Sequence, residues 1–253
     1  MGSLRHLHIV AKLVGLLTGM LACVSAWSEN EQLNDLAGRM EYAFYAEDSR
    51  SLQLAIQSLT QLELDTESDM LQQQQQLDYG RWKLAQLLGK HDPALATQMA
   101  EECADSKIAN TVDGTSLAIR HALHAACLSI LAQLRPLRSV LYKRQRNAEI
   151  DQALQIDSRS PQVQLVSAWL HADDKEPQDM APLSTVVAAY DAAALVQITH
   201  NVLWGHAESC YLLGQLAIAN GESLAARNAL ERALILMPDY QAASTLLRSL
   251  TVN

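Results

Sequence analysis

Aromatic side chains are scarce in this chain. They make up 5% of it, and phenylalanine occurs once, at Phe44. A β-sandwich fills its core from β-branched and aromatic runs, so this shortage argues against one, and the abundance of Ala and Leu suits closely packed helices. Basic charge is also short: 19 Lys and Arg face 28 Asp and Glu, a net charge of −9, which excludes a general nucleic-acid-binding surface. No CxxC pair, HExxH, glycine-rich phosphate loop or Ser/His/Asp order occurs. The expectation is therefore no enzyme, no metal and no cofactor. The longest apolar run, LVGLLTGMLACV at 13–24, falls short of the roughly 20 residues needed to span a bilayer.

That run reads as the apolar part of a leader. Arg5 and Lys12 give it a positive start, Val24-Ser25-Ala26 supplies the small residues of a cleavage site, and Ser28-Glu29-Asn30 turns polar. Cleavage after Ala26 would make Trp27 the first residue and leave 27–253 as a single helical-repeat domain. Losing Arg5 and Lys12, and no acid, takes the net charge from −9 to −11. The expected location is exported, in a bacterial periplasm. Leu21-Ala22-Cys23 offers the alternative of a lipoprotein box, with a membrane contact only if Cys23 is lipidated. Of the remaining cysteines, Cys103 and Cys127 are expected to be unbridged. Helices at 92–105 and 114–132, folded about residue 110, place them about 16 Å apart at ~1.5 Å per residue. A disulfide needs Cα atoms within about 7 Å. Buried thiols are the expectation for Cys103, Cys127 and Cys210.

The strongest pattern lies near the C-terminal end. Cys210-Tyr211-Leu212-Leu213-Gly214 is followed by Ala217, Gly221, Ala226, Leu230, Ala233 and Pro238, and the steps from Gly214 through Gly221, Ala226 and Ala233 to Pro238 are seven, five, seven and five residues. Gly214 and Ala217 are small where one helix crosses the next. Ala226 and Ala233 share a face of the second helix and let the backbones approach. Asn220-Gly221 stops the first helix, and Pro238 ends the second. This skeleton resembles the tetratricopeptide repeat (TPR), a helical hairpin of about 34 residues. Cys210, Ala217 and Leu230 stand where that repeat usually has larger aromatic residues.

One hairpin of this kind cannot bury its own apolar face, so its neighbours should be hairpins too. Helices are expected over 30–46, 49–64, 68–90, 92–105, 115–133, 138–155, 161–172 and 183–198, then a best-defined repeat at 207–240 and a capping helix at 241–253. Asp48, Thr66 and Asp92 are the N-cap candidates, with Pro93 at the first helical position. Gln72 to Gln76 read as a solvated face, and 173–182 as the longest polar connector. The fold class is all-α: a TPR-like solenoid of about five hairpins plus a cap. From Ala153-Leu154-Gln155-Ile156-Asp157 through Leu203-Trp204-Gly205-His206-Ala207-Glu208 to Leu236-Met237-Pro238-Asp239-Tyr240, the chain is similar to exported bacterial TPR-containing proteins of unassigned function. The resemblance implies a groove for peptides or partner proteins and no chemistry.

Several residues are candidates for contact. Trp82, Trp169, Trp204, Tyr79 and Tyr211 carry the bulk that a concave groove would use as anchors, or that packing between hairpins would bury, and for Trp82 and Tyr211 core packing is the favoured reading. His206 and Glu208 follow Trp204 at the same helix mouth. Arg135, Arg138, Lys143, Arg144 and Arg146 form the one basic cluster, suited to an anionic headgroup or an acidic partner if it is not simply a solvated face. His121, His124 and Cys127 have metal-binding chemistry, but at ~100° per residue the first and last point about 120° apart. The sequence therefore suggests a scaffold for an unidentified protein or peptide. The alternative is a small-molecule-binding component of an uptake system, with its ligand inside the helical array.

Overall fold

The computed structural model describes residues 31–106, 114–173, 180–196 and 203–251. The leader, Cys23 and Trp27 lie outside the described residues. Eleven α-helices and no strand occur among the described residues. They are α1 (31–45), α2 (Ser49–Thr60), α3 (Glu67–Leu88), α4 (Pro93–Ala104), α5 (Gly114–Leu134), α6 (Ser139–Asp157), α7 (Pro161–Asp173), α8 (Met180–Val196), α9 (His206–Ala219), α10 (Ser223–Leu236) and α11 (Gln241–Thr251). A single 3-10 turn, Pro136–Arg138, joins α5 to α6.

Local chemistry explains most boundaries. Asp48 accepts from Ser51 N at 3.0 Å, Thr66 from Asp69 N at 3.1 Å and Asp92 from Leu95 N at 3.0 Å. Each satisfies an amide that the first helical turn leaves open. Gly221 takes a φ of +78°, the left-handed conformation that terminates α9. Gly214 lies where α9 crosses α10, and a Cβ there would come within 2.7 Å of Leu230 Cγ. Ala217, Ala226 and Ala233 are buried at that crossing.

From α2 onward each helix packs against the next along the chain, and α11 packs on α10. Helix α3 also touches α5, and α5 touches α7, so these three helices form an inner row. Helix α5 is buried over most of its surface, and it takes Arg120, His121 and His124 into the interior with its apolar residues. It is long and apolar enough to cross a membrane, but 83% of its most apolar window is buried inside the protein.

The two ends of the array meet. Tyr45 of α1 packs on Tyr240, with ring centroids 4.5 Å apart, and Tyr42 donates to Asp239 at 3.1 Å. In an open solenoid each repeat touches only its neighbours. Here the inner row closes on itself, and the expected free concave face is filled by the chain's own side chains.

Four further expectations need correcting. First, Cys103 and Cys127 form a disulfide, with Cα atoms 6.1 Å apart. Helix α4 ends beside the middle of α5, where Ser106 contacts His124 and Arg120, rather than beside its start. The assumption of a tight turn about residue 110 misplaced the two sulfurs. Cys210 alone keeps a free, buried thiol among the described cysteines.

Second, the glutamine run is partly buried. Gln73 Nε2 donates to Leu59 O at 2.7 Å and Leu62 O at 2.8 Å, adding side-chain donors to carbonyls at the end of α2. Third, α8 begins at Met180, three residues before the expected start, because Pro182 fits the first helical turn. Fourth, Arg146 is turned inward, 5% exposed, with its guanidinium on Asn147.

Candidate functional site at the helical centre

Tyr79, Trp82 and Lys83 lie three and four residues apart on α3, so they share the face turned to the centre. Trp204 and Gly205 form the turn before α9, and Glu208 lies in its first turn. Gly205 has a φ of +98°, and a Cβ there would collide with Leu165 and with the Tyr190 hydroxyl. Only glycine lets the chain turn so tightly there, and that turn sets Trp204 and Glu208 against α3.

The rings form one stack. Tyr79 lies on Trp204 at 4.6 Å, while Trp82 meets Trp204 at 6.1 Å and Trp169 at 5.3 Å, both edge-on. His206 stacks on Tyr190 at 5.3 Å, and Tyr211 meets Tyr240 at 5.1 Å. The structure thus gathers Tyr79, Trp82, Trp204, His206, Glu208 and Tyr211 into one region. Tyr79, Trp82, Trp204 and Glu208 are at most 4% exposed, so they are core residues and do not line an open groove. His206 and Tyr211 keep partial exposure.

A buried ion pair crosses this centre. Lys83 Nζ donates to both Glu208 oxygens, at 2.8 and 2.7 Å, and stands 3.3 Å from the Trp82 ring centroid. Burial pulls Lys83 down to about 8, and Glu208 offsets part of that fall. Glu41 of α1 lies alongside, accepting from Gly205 N and from the Tyr45 hydroxyl, each at 3.3 Å. Desolvation raises Glu41 to about 7, against those two hydrogen bonds and the attraction of Lys83. Among the described residues, the Tyr79 hydroxyl and the indole N–H groups of Trp82 and Trp204 are buried without a hydrogen-bond partner.

Sequence reading missed Lys83 and Glu41. The available signal was a charge at an inward helical position: Lys83 sits one turn beyond Tyr79 on the same stripe. A second buried network was missed for the same reason. Asp78 accepts from Gln74 at 2.9 Å and Ser106 at 2.8 Å, with Arg120 Nε at 3.6 Å. Burial lifts Asp78 to about 6 against those partners. His124 Nε2 is 2.8 Å from the Ser106 hydroxyl, and burial, with Arg120, lowers it to about 4. Serine stands here between the aspartate and the histidine, whereas nucleophile activation needs histidine in the middle. The geometry is that of a structural network.

The other candidates separate. Arg135 pairs with Glu101 at 2.7 Å and Arg146 is buried, so only Arg138, Lys143 and Arg144 remain as an exposed basic group. His121 contacts Glu149 at 2.6 Å, His124 turns to Ser106, and Cys127 is in the disulfide, so the three do not converge. His206 shares Asp191 with Arg232. No protein-family model, no curated protein and no solved structure matches this chain.

Proposed function

We propose that the chain is an exported helical-repeat protein of the TPR type that holds a segment of a partner protein and carries out no catalysis. The sealed centre carries this reading. Lys83 and Glu208 are buried and tied to each other under a lid of rings, out of reach of a substrate, and Glu41 lies half-buried beside them on the Gly205 N–H. The first hairpin, by contrast, leaves a groove of about 580 Å³ between α1 and α2, bordered by Leu36, Asp35 and Asp48. Tyr42 and Leu54 stand half-exposed in its walls, at 51% and 55%. The occupant fitting those walls is an extended segment with an apolar side chain for the groove and polar groups for a rim of mixed charge, where Asp35 is paired with Arg39 at 2.8 Å. The disulfide supports an oxidising compartment outside the cytosol, in keeping with the leader. A photo-crosslinking residue at position 54, used in the producing cells, tests the groove. One discrete adduct is expected, lost on Tyr42→Arg and absent when the crosslinker sits at exposed position 224. Equal adducts at both positions overturn the reading.

A further inference from the structure

Where α5 hands over to α6, three large apolar side chains project into solvent: Leu137 is 102% exposed, Val140 85% and Leu141 53%. Arg138, Lys143 and Arg144 stand exposed among them. In this acidic chain, no Asp or Glu occurs anywhere from Gly114 to Ala148. The nearest acids, Glu101, Asp105 and Glu149, border a cleft beneath Arg138 and Leu141 on the side of α4.

This corner works against the fold twice over. Exposed Leu and Val cost hydration free energy. Cations near the start of α6, whose first turn holds no acid, oppose the helix dipole. Leu137, Val140 and Leu141 are left exposed among the described residues. The corner is apolar at its tip, with the exposed cations of Arg138, Lys143 and Arg144 around it. A protein partner would need a matching acidic socket. An anionic bilayer needs none: apolar tips enter the acyl boundary while Lys and Arg lie along the headgroups.

We infer that the corner formed by Pro136–Arg138 and the first turns of α6 seats this protein on an anionic lipid surface. This contact is independent of the α1–α2 groove and of any lipid on Cys23. The test places a polarity-sensitive fluorescent amino acid at Val140 in the full chain, and in a second protein at Leu224 on α10. Vesicles of phosphatidylethanolamine and phosphatidylglycerol are compared with vesicles of phosphatidylcholine. The expected result is a blue shift at position 140 with the anionic vesicles alone, quenched by brominated lipid, and none at position 224. The R138Q/K143Q/R144Q variant should raise the lipid concentration at half-shift about 100-fold, since each charge accounts for roughly fivefold. Three outcomes overturn the inference: equal shifts at 140 and 224, equal shifts with both vesicle types, or a shift at 140 with polyglutamate but not with vesicles. Retention of the lipid response in the triple variant also overturns it.

Discussion

Lys83 and Glu208 join α3 to α9 through a pair with side chains 0% and 5% exposed, and this contact closes the inner helical row. Glu208→Leu leaves a buried ammonium without its counter-charge. Lys83 can escape by losing its proton. From an ordinary 10.5, neutrality at pH 7 costs at most about 5 kcal/mol at ~1.4 kcal/mol per unit. Breaking a buried pair typically costs about 3–5 kcal/mol, so both routes give the same range. The sign with pH follows from linkage. In the variant, the folded-state value of Lys83 lies further below its unfolded value. The unfolded state then binds more protons at intermediate pH, and stability rises with pH by up to about 1.4 kcal/mol per unit until the unfolded lysine titrates. Lys83→Met should also cost about 3–5 kcal/mol, whereas the Lys83→Met/Glu208→Leu double variant should lie within about 1 kcal/mol of the parent, because removing both charges removes the desolvation cost as well. Urea unfolding by circular dichroism at pH 7 and pH 9 yields the whole double-mutant cycle. Single variants each costing under about 1 kcal/mol, with an additive double, would refute a sealed pair and with it the closed centre.

Three more predictions come from the same geometry. Cys103→Ala/Cys127→Ala should lose about 3 kcal/mol of stability, from releasing a loop of 24 residues' separation, and reduction of the parent should reproduce that loss in urea melts. Gly205→Ala, strained in backbone and blocked by Leu165 and Tyr190, should cost more than about 3 kcal/mol, while Gly221→Ala, with open space around it, should cost about 1–2 kcal/mol from the backbone alone. Glu41 is raised from 4.5 to about 7, so its contribution is fully present below 4.5 and is lost as pH climbs through 7. Glu41→Gln, which keeps an oxygen for Gly205 N–H and Tyr45 O–H, should therefore match the parent near pH 4.5 and exceed it by up to about 3 kcal/mol at pH 8. Equal unfolding midpoints for Glu41→Gln and parent across that range would remove Glu41 from the buried set.

Caps, stops and small-residue crossings were legible because they are local. Asp48, Thr66, Asp92 and Gly221 act on amides and torsions within a few residues of themselves, and their positions on paper and in space coincide. The candidate site was half legible. Bulk and helix-mouth position were enough to select Tyr79, Trp82, Trp204, His206, Glu208 and Tyr211, and they do gather in one region. Core packing was legible for Trp82; the burial of Tyr79, Trp204 and Glu208 was not, because it depends on contacts between distant helices such as the pairing of Lys83 with Glu208.

The sequence by itself determined an all-α chain, since a 3.6-residue apolar period and its breakers are properties of neighbouring residues. The tertiary structure alone decided three things. It brought Cys103 within reach of Cys127, by letting α4 end beside the middle of α5. It made Lys83 and Glu208, 125 residues apart, into one buried pair. It left Leu137, Val140 and Leu141 outside the core while drawing Arg146 in. Each depends on several helix crossings in succession, and small differences in each crossing add up along the chain to set which side chains meet.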